Sequence, residues 1–448
     1  MLTIPAWIKT LLKSRSMTGP DRPRWTLTVR GAAGAAVNVP DVLGITIQRQ
    51  LYQAATLEFA LDNKAGKYAP DGAGPWQYKM WPNSEVIVTL GYGAHMAQAF
   101  RGLIDSVEMS RTPRGGAIMT VTARDLYKRA LDQMITNPAD STHVWLFVAK
   151  TCEAIFTDLA LAAGWAAPDI TAQVSGITIA EKVFAWESYA DAFLWLCEVS
   201  GFEVVVTETG KIEFRFASDR QPEAMDEALV LTGTAWTNLA NSYVVGTSER
   251  IRSAQGGGTL YVRGVDYETE YGSPARVRRT VGSSIASGAT VYGTYVYAAW
   301  RFREGEDLYR IGYKIDDDDL FAEILVQGMS ASGEPILAVV DTFLTPYWNL
   351  PVAKAKFVSA PDVANLADCA KIGRRIAASS AQRARRADFG TVGWPWLQVG
   401  DCVQVVESST TISEIYRITG MELRLDPTGF TTQLQTHYYG YTPAPVTE

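Results

Sequence analysis

The sequence predicts a β-rich α+β fold in which two small antiparallel β-barrel domains flank an intervening helix-plus-hairpin region. Three observations carry this expectation. From residue 25 to 135, and again from 390 to 440, short runs alternate apolar and polar residues with the period of two of half-buried strands, broken by Gly, Asn, Asp or Pro. Between 141 and 201, apolar residues recur instead at three- and four-residue steps, as on helices. The 37 glycines and 11% aromatic residues suit turn-rich β structure, and 47% hydrophobic with 20% charged residues excludes disorder over most of the 448 residues. That length implies several domains of about 100–200 residues each.

Residues 1–23 form an amphipathic arm with Trp7, Ile8, Leu11 and Leu12 on one face before the Gly19-Pro20 break. Lys9 and Lys13 interrupt any apolar run of signal-peptide length, and no run of about 18 apolar residues suggests a membrane span. The first barrel, 24–135, opens with WTLTVR, GITIQRQL and TLEFAL, then a turn-rich loop, LDNKAGKYAPDGAGPW. Three further strands follow between Glu85 and Leu131. Val86, Val88 and Leu90 alternate with polar partners, as do Leu103, Asp105 and Val107 after Gly102, and then Ile118, Thr120, Val121 and Thr122.

The region 136–227 reads as two helices and a hairpin. Ser141 or Thr142 caps a helix carrying Trp145, Val148, Ala149, Cys152, Ile155, Phe156 and Leu159 and ending at Gly164. Ser188 with Asp191 forms a capping-box start for the second, with Phe193, Leu194 and Cys197 inward and Gly201 as its stop. FEVVVTETGKIEFRF is then a hairpin about Gly210. Residues 228–361 hold strand-like runs with Gly-rich joints, in no legible order, that contribute strands to the second barrel. The last unit, 362–448, starts with a helix capped by Asp362 whose C-terminal end gathers Arg383, Arg385 and Arg386, where the helix dipole favours them. GTVGWPWLQVGDCVQVVE, ISEIYRITGMELRLD and FTTQLQTHYYG complete the second barrel.

Nothing in these segments assembles a catalytic, metal or cofactor site. His95, His143 and His437 stand alone, without the spacing of a metal or general-base set. The Asp316–Asp319 run lacks the Gly and distal Glu of a calcium loop, and Gly91-Tyr92-Gly93 and Gly256–Gly258 lack the Lys-Ser/Thr of a phosphate loop. The cysteines at 152, 197, 369 and 402 lie in or beside apolar segments at wide spacings, as reduced core residues do, which suits a reducing compartment. A net charge of −7 withholds the basic footprint that nucleic-acid binding needs, although an acidic wall lets DNA pass without sticking.

In order and spacing these parts resemble the hub proteins of phage tails, the family of contractile-tail baseplate hubs, late-control D proteins and the hub half of type VI secretion spikes. The resemblance rests on Gly91 and Tyr92 ending one strand, on Phe100, Arg101 and Gly102 opening the next, and on Asp125 closing the barrel. Trp186 to Phe214 resembles the family's helix-plus-hairpin piece, turned at Thr209-Gly210. Leu397, Gly400 and Asp401 resemble the opening of the second barrel, with Tyr416 to Met421 and Phe430 to Leu434 as its later strands. Residues 252–360 lie outside the pattern.

The resemblance implies a non-enzymatic homotrimer in the virion, assembled in the host cytoplasm. It would join the tail tube or a distal tail ring above to a spike or central fibre below, with DNA passing through its channel. The loops with His95 and with Arg111, Arg114, Gly115 and Gly116 become contacts between subunits or with the tube. Two other readings stay open: the hub of a tailocin or bacterial contractile injection system, and a glycan-binding or glycan-cleaving β protein suggested by 13 Trp and 20 Tyr.

Overall fold

The alternating runs at the two ends of the chain enter one and the same sheet. The computed structural model describes residues 22–439 except 32–34, 70–75, 77, 112–116, 140, 216–222, 242–243, 245–247, 271–273, 299, 316–320, 331, 342–353, 384 and 408–411. Residues 1–21 of the amphipathic arm, the Asp316–Asp319 run, Arg114, Gly115 and Gly116 therefore lie outside the described residues, and Pro23 at the arm's end is the first residue of a strand.

The sheet has thirteen strands. Seven come from the N-terminal part, in the order Val37–Asn38, Pro23–Arg30, Glu85–Tyr92, His95–Arg111, Ala117–Asp125, Thr56–Asp62 and Val42–Gln50. Their inward residues, among them Leu27, Ile47, Phe59, Val88, Phe100, Ile104 and Val121, are buried. In the strand after Gly102 the buried position is Ile104, while Leu103 faces the other way and meets a second core. A register shift between Ile104 and Ser106 re-phases that strand, which a strict period of two does not reveal.

Six strands come from later in the chain: Ile412–Asp426, Gly429–Tyr438, Arg385–Val392 and Leu308–Ile315 in line, with Cys402–Glu407 beside Ile412–Asp426, and Trp300–Arg303 parallel to Cys402–Glu407. They enclose Phe302, Phe389, Trp394, Val405, Tyr416 and Leu434. The two predicted barrels are thus two curled halves of one sheet with a common hydrophobic core.

The seam between them is the pairing of Val42–Gln50 with Ile412–Asp426, from Ile45↔Leu425 to Gln50↔Gly420. The same long strand pairs at its start, from Ile412 to Arg417, with Cys402–Glu407. A register shift between Ile418 and Gly420 separates its two duties.

The helix-plus-hairpin region forms a second core. Helix Tyr189–Ser200 begins with the capping box of Ser188 and Asp191 and ends at Gly201 in the left-handed conformation (φ 67°). The preceding helix is shorter than its spacing predicts: it spans Cys152–Ala162, and Val144–Thr151 is a strand paired with Thr178–Ala185. Trp145, Val148 and Cys152 mimic helical spacing, but the run is β-branched and aromatic, and burial alternates so that Phe147 points inward while Leu146 and Val148 point out. Ser141 and Thr142 therefore cap nothing.

The last helix also starts later, at Leu366, and its cap is Asn365 rather than Asp362, with the Asn365 carboxamide oxygen accepting the Asp368 N–H at 2.8 Å. It packs on strands Glu323–Met329 and Pro335–Asp341 and belongs to the second core, not to the later sheet half. Arg385 and Arg386 lie beyond it in strand Arg385–Val392, where Arg385 pairs with Glu414 and covers the Tyr438 ring. Between hairpin and sheet, residues 223–298 form a small β module around Leu229, Ile251, Val277 and Tyr295, with two sheets of its own. No helix among the described residues is long and apolar enough to cross a membrane.

Candidate functional site at the junction of the two sheet halves

The hairpin of Glu85–Tyr92 and His95–Arg111 turns so tightly that Tyr92 faces His95 and Gly91 faces Met96. A Cβ on Gly91 would lie 2.0 Å from the His95 carbonyl oxygen, so glycine is the residue that fits. This tip carries the Tyr92 ring across into the later half of the sheet. There it stacks on Trp396 with 6.4 Å between centroids, lies 5.7 Å from Phe430, and donates its hydroxyl to the Gly393 carbonyl at 3.1 Å. Burial pushes the Tyr92 phenol well above its ordinary range, so it stays a neutral donor.

The Glu203–Arg215 hairpin is clasped from both halves. On the N-terminal side, Gln98 Nε2 donates to the Glu208 carbonyl at 2.8 Å, and Arg101 donates to Thr209 O at 3.1 Å while its Nε holds Glu85 at 2.8 Å. Gly210 (φ 88°) sits so close to Leu126 that a Cβ would meet its methyl at 2.7 Å. On the other side, Arg417 of the seam strand donates to Glu203 Oε2 at 2.6 Å, and both side chains are buried.

The turn before strand Cys402–Glu407 closes onto the same seam strand. Gly400 (φ 95°) donates its N–H to Ile418 O at 2.8 Å, the Asp401 carbonyl accepts the Ile418 N–H at 2.9 Å, and the Asp401 carboxylate accepts the Gln398 N–H at 2.9 Å. Leu397 is fully buried beneath it. Gly400 and Asp401 thus lie in the turn ahead of the strand, not within it. A cavity of only about 30 Å³, lined by Arg49, Asp125, Thr207, Gln398 and Val399 among others, remains where the three units meet. That volume is on the scale of a bound water or two.

Asp125 ends the strand Ala117–Asp125 at that cavity. Its carboxylate accepts the Ala55 N–H at 3.0 Å and the Tyr127 N–H at 2.9 Å, tying two segments at a corner. Burial pushes this carboxyl up to about 7, against the pull of those two N–H groups and of Arg49 and Arg124. The folded protein therefore binds this proton more tightly than the unfolded chain does. Stability contributed by the group is fully present below pH ~4 and is lost as pH rises through about 7. The stability difference between wild type and Asp125→Asn is expected to fall by roughly 2–3 kcal/mol from pH 5 to pH 7 in urea titrations. Parallel pH profiles for the two proteins would disprove this assignment.

The motif residues named from the sequence thus lie in or beside one junction: Gly91, Tyr92, Phe100, Arg101, Gly102, Asp125 and Gly210 on one side, Leu397, Gly400 and Asp401 on the other. Sequence reasoning missed their partners Arg417, Glu203, Gln98, Gly393 and Trp396, of which only the Gly-Trp-Pro-Trp run 393–396 was conspicuous. His95 is the exposed first residue of a strand rather than part of a free loop, and Arg111 is the exposed last residue of the same strand. Among the described residues no His/Cys/Asp/Glu cluster could hold a metal, and all four cysteines are buried and unpaired.

No family model matches the sequence, and no curated protein matches it. Its fold is that of phage tail proteins. The tail protein of Neisseria meningitidis MC58 shares it with a TM-score of 0.56 at 13% identity, over 93% of this chain and 97% of that one. The 43 kDa tail protein of prophage MuSo2 from Shewanella oneidensis does so at 0.56 and 11%, over 92% and 98%. Prophage tail protein gp18 of Listeria monocytogenes EGD-e does so at 0.52 and 10%, over 93% and 95%. A match over 93% of the chain takes in most of residues 252–360, the stretch in which no family motif was legible.

Proposed function

We propose that this chain is a structural protein of a phage tail tip, a hub that acts as a homotrimer and not as an enzyme. Each copy would supply two curled sheet halves, so that three copies face a hexameric tail tube with six barrel-like units and a spike or central fibre with threefold symmetry. The observation that carries this reading is the junction: two halves, each built on one long strand that changes pairing partner along its length, are locked in fixed relation by a shared ladder, the Tyr92 contact and the clasped hairpin. A symmetry adaptor needs that fixed relation, because matching three copies to six positions fails if the halves swing independently. DNA would pass through the ring's lumen, and the net charge of −7 favours passage over retention.

The native mass of purified protein at micromolar concentration, with and without tail tube protein, tests the reading. A trimer or ring that binds the tube is expected. A stable monomer with polysaccharide-hydrolysing activity would overturn it.

A further inference from the structure

The cavity where the three units meet is lined by one cation and two carboxyls. Strand Val42–Gln50 and the turn after it supply Arg49 and the Tyr52 phenol, strand Ala117–Asp125 supplies its last residue, and the hairpin supplies Glu208. The turn of the later sheet half adds the Gln398 amide and Val399, and no charge.

Arg49 holds the hairpin turn. Its side chain is only 11% exposed, donates to the Ala99 carbonyl, and brings Nη1 to 4.0 Å from Glu208 Oε2, at the outer limit of an ion pair. Gln98 meanwhile donates to the Glu208 carbonyl at 2.8 Å, so the sheet grips both the backbone and the side chain of that residue. Asp125 is the more deeply buried carboxyl, at 5% exposure. Arg124, beside it on its own strand, is occupied by Asp105, bonded through Nε at 2.7 Å and Nη2 at 3.0 Å. One guanidinium therefore faces two carboxyls. That arrangement is balanced while Asp125 carries its proton, and contested once it does not, because a buried carboxylate draws the nearest cation.

We propose that this cluster is a proton-operated latch: when Asp125 releases its proton to solvent, the Arg49 guanidinium turns into the cavity, from Glu208 toward the Asp125 carboxylate, and the hairpin turn loosens from the N-terminal half of the sheet. The cavity supplies the room for that shift in an interior otherwise packed too closely for a side chain to change partners. The base of the hairpin stays in place, because Arg417 still holds Glu203. Burial pushes the Asp125 carboxyl up to about 7, so the latch is closed below neutral pH and opens above it. It works within one chain and does not depend on the oligomer proposed above.

The test is hydrogen exchange of the full-length protein read by mass spectrometry, corrected for the pH dependence of exchange in unstructured peptides. The turn reports through the Thr207 N–H, bonded to Lys211 O at 2.8 Å, and the Gly210 N–H, bonded to Thr207 O at 2.9 Å. Between about pH 6 and about pH 8, protection of the turn is expected to fall about tenfold in wild type, while strand Glu85–Tyr92 keeps its protection. Asp125→Asn should keep the turn protected at both pH values. Glu208→Gln, at a partly exposed position that leaves the core intact, should leave it weakly protected at both, because Arg49 then has no second carboxylate to leave. A wild-type turn whose protection does not change overturns the latch. So does a fall of equal size in strand Glu85–Tyr92, which marks a general loss of stability, and so does a pH step that survives Glu208→Gln. None of these outcomes touches the tail-tip reading.

Discussion

Replacing Arg417 with Met is expected to destabilise the protein by about 3–5 kcal/mol, the cost of removing one member of a buried ion pair. The Arg417 and Glu203 side chains are only 8% and 2% exposed, and their bond joins the seam strand to the hairpin. Burial works against the Arg417 charge, but the Glu203 carboxylate keeps the guanidinium charged. Without Arg417 that carboxylate is left desolvated and uncompensated.

The pair is not perfectly satisfied, however, since Arg417 Nε has no hydrogen-bond partner among the described residues. The double variant Arg417→Met with Glu203→Leu should therefore recover most of the loss, because an apolar pair of similar volume is often as stable as a buried ionic one. Urea midpoints of the two variants decide the matter. A single variant within 1 kcal/mol of wild type would show that water reaches Glu203.

Gly102→Ala is the second large effect, about 3 kcal/mol, at the upper end for overpacking a tight core. The added Cβ would stand 2.1 Å from the Arg124 carbonyl oxygen and 2.7 Å from the Phe100 ring. The first of these is backbone within a paired strand, Gly102 facing Asp125 in that ladder, so it cannot yield without breaking the pairing. Gly257→Ala is the control. No atom of the described residues lies within 4 Å of where its Cβ would stand, and its stability should stay within about 0.5 kcal/mol of wild type. Equal melting curves for the two alanine variants would refute the steric account.

Both effects arise at residues whose neighbours the sequence does not announce. Val86, Val88 and Leu90 were legible as a strand because one face is wet and the other dry, which imposes the alternation. The Ser188–Asp191 start was legible because a capping box is a local arrangement. Val144–Thr151 was misread because exposed apolar residues at its surface broke the alternation that marks a strand.

The seam itself is beyond local reasoning. Thr46 pairs with Arg424 across nearly the whole chain, and nothing in either strand names the other. The motif residues, among them Tyr92 and Gly400, meet at one junction, and nothing in the motifs themselves reveals that meeting.

If the chain serves as the hub proposed above, the seam constrains how that hub opens. A hinge needs a segment whose bonds can be given up cheaply, and among the described residues the halves are instead joined by six ladder pairs, a buried ion pair and a stacked aromatic that would all have to break together. Each copy would then move as one stiff petal. Any widening of a central passage would fall to the boundaries between copies, so the give of the machine would lie in its assembly rather than in its chain.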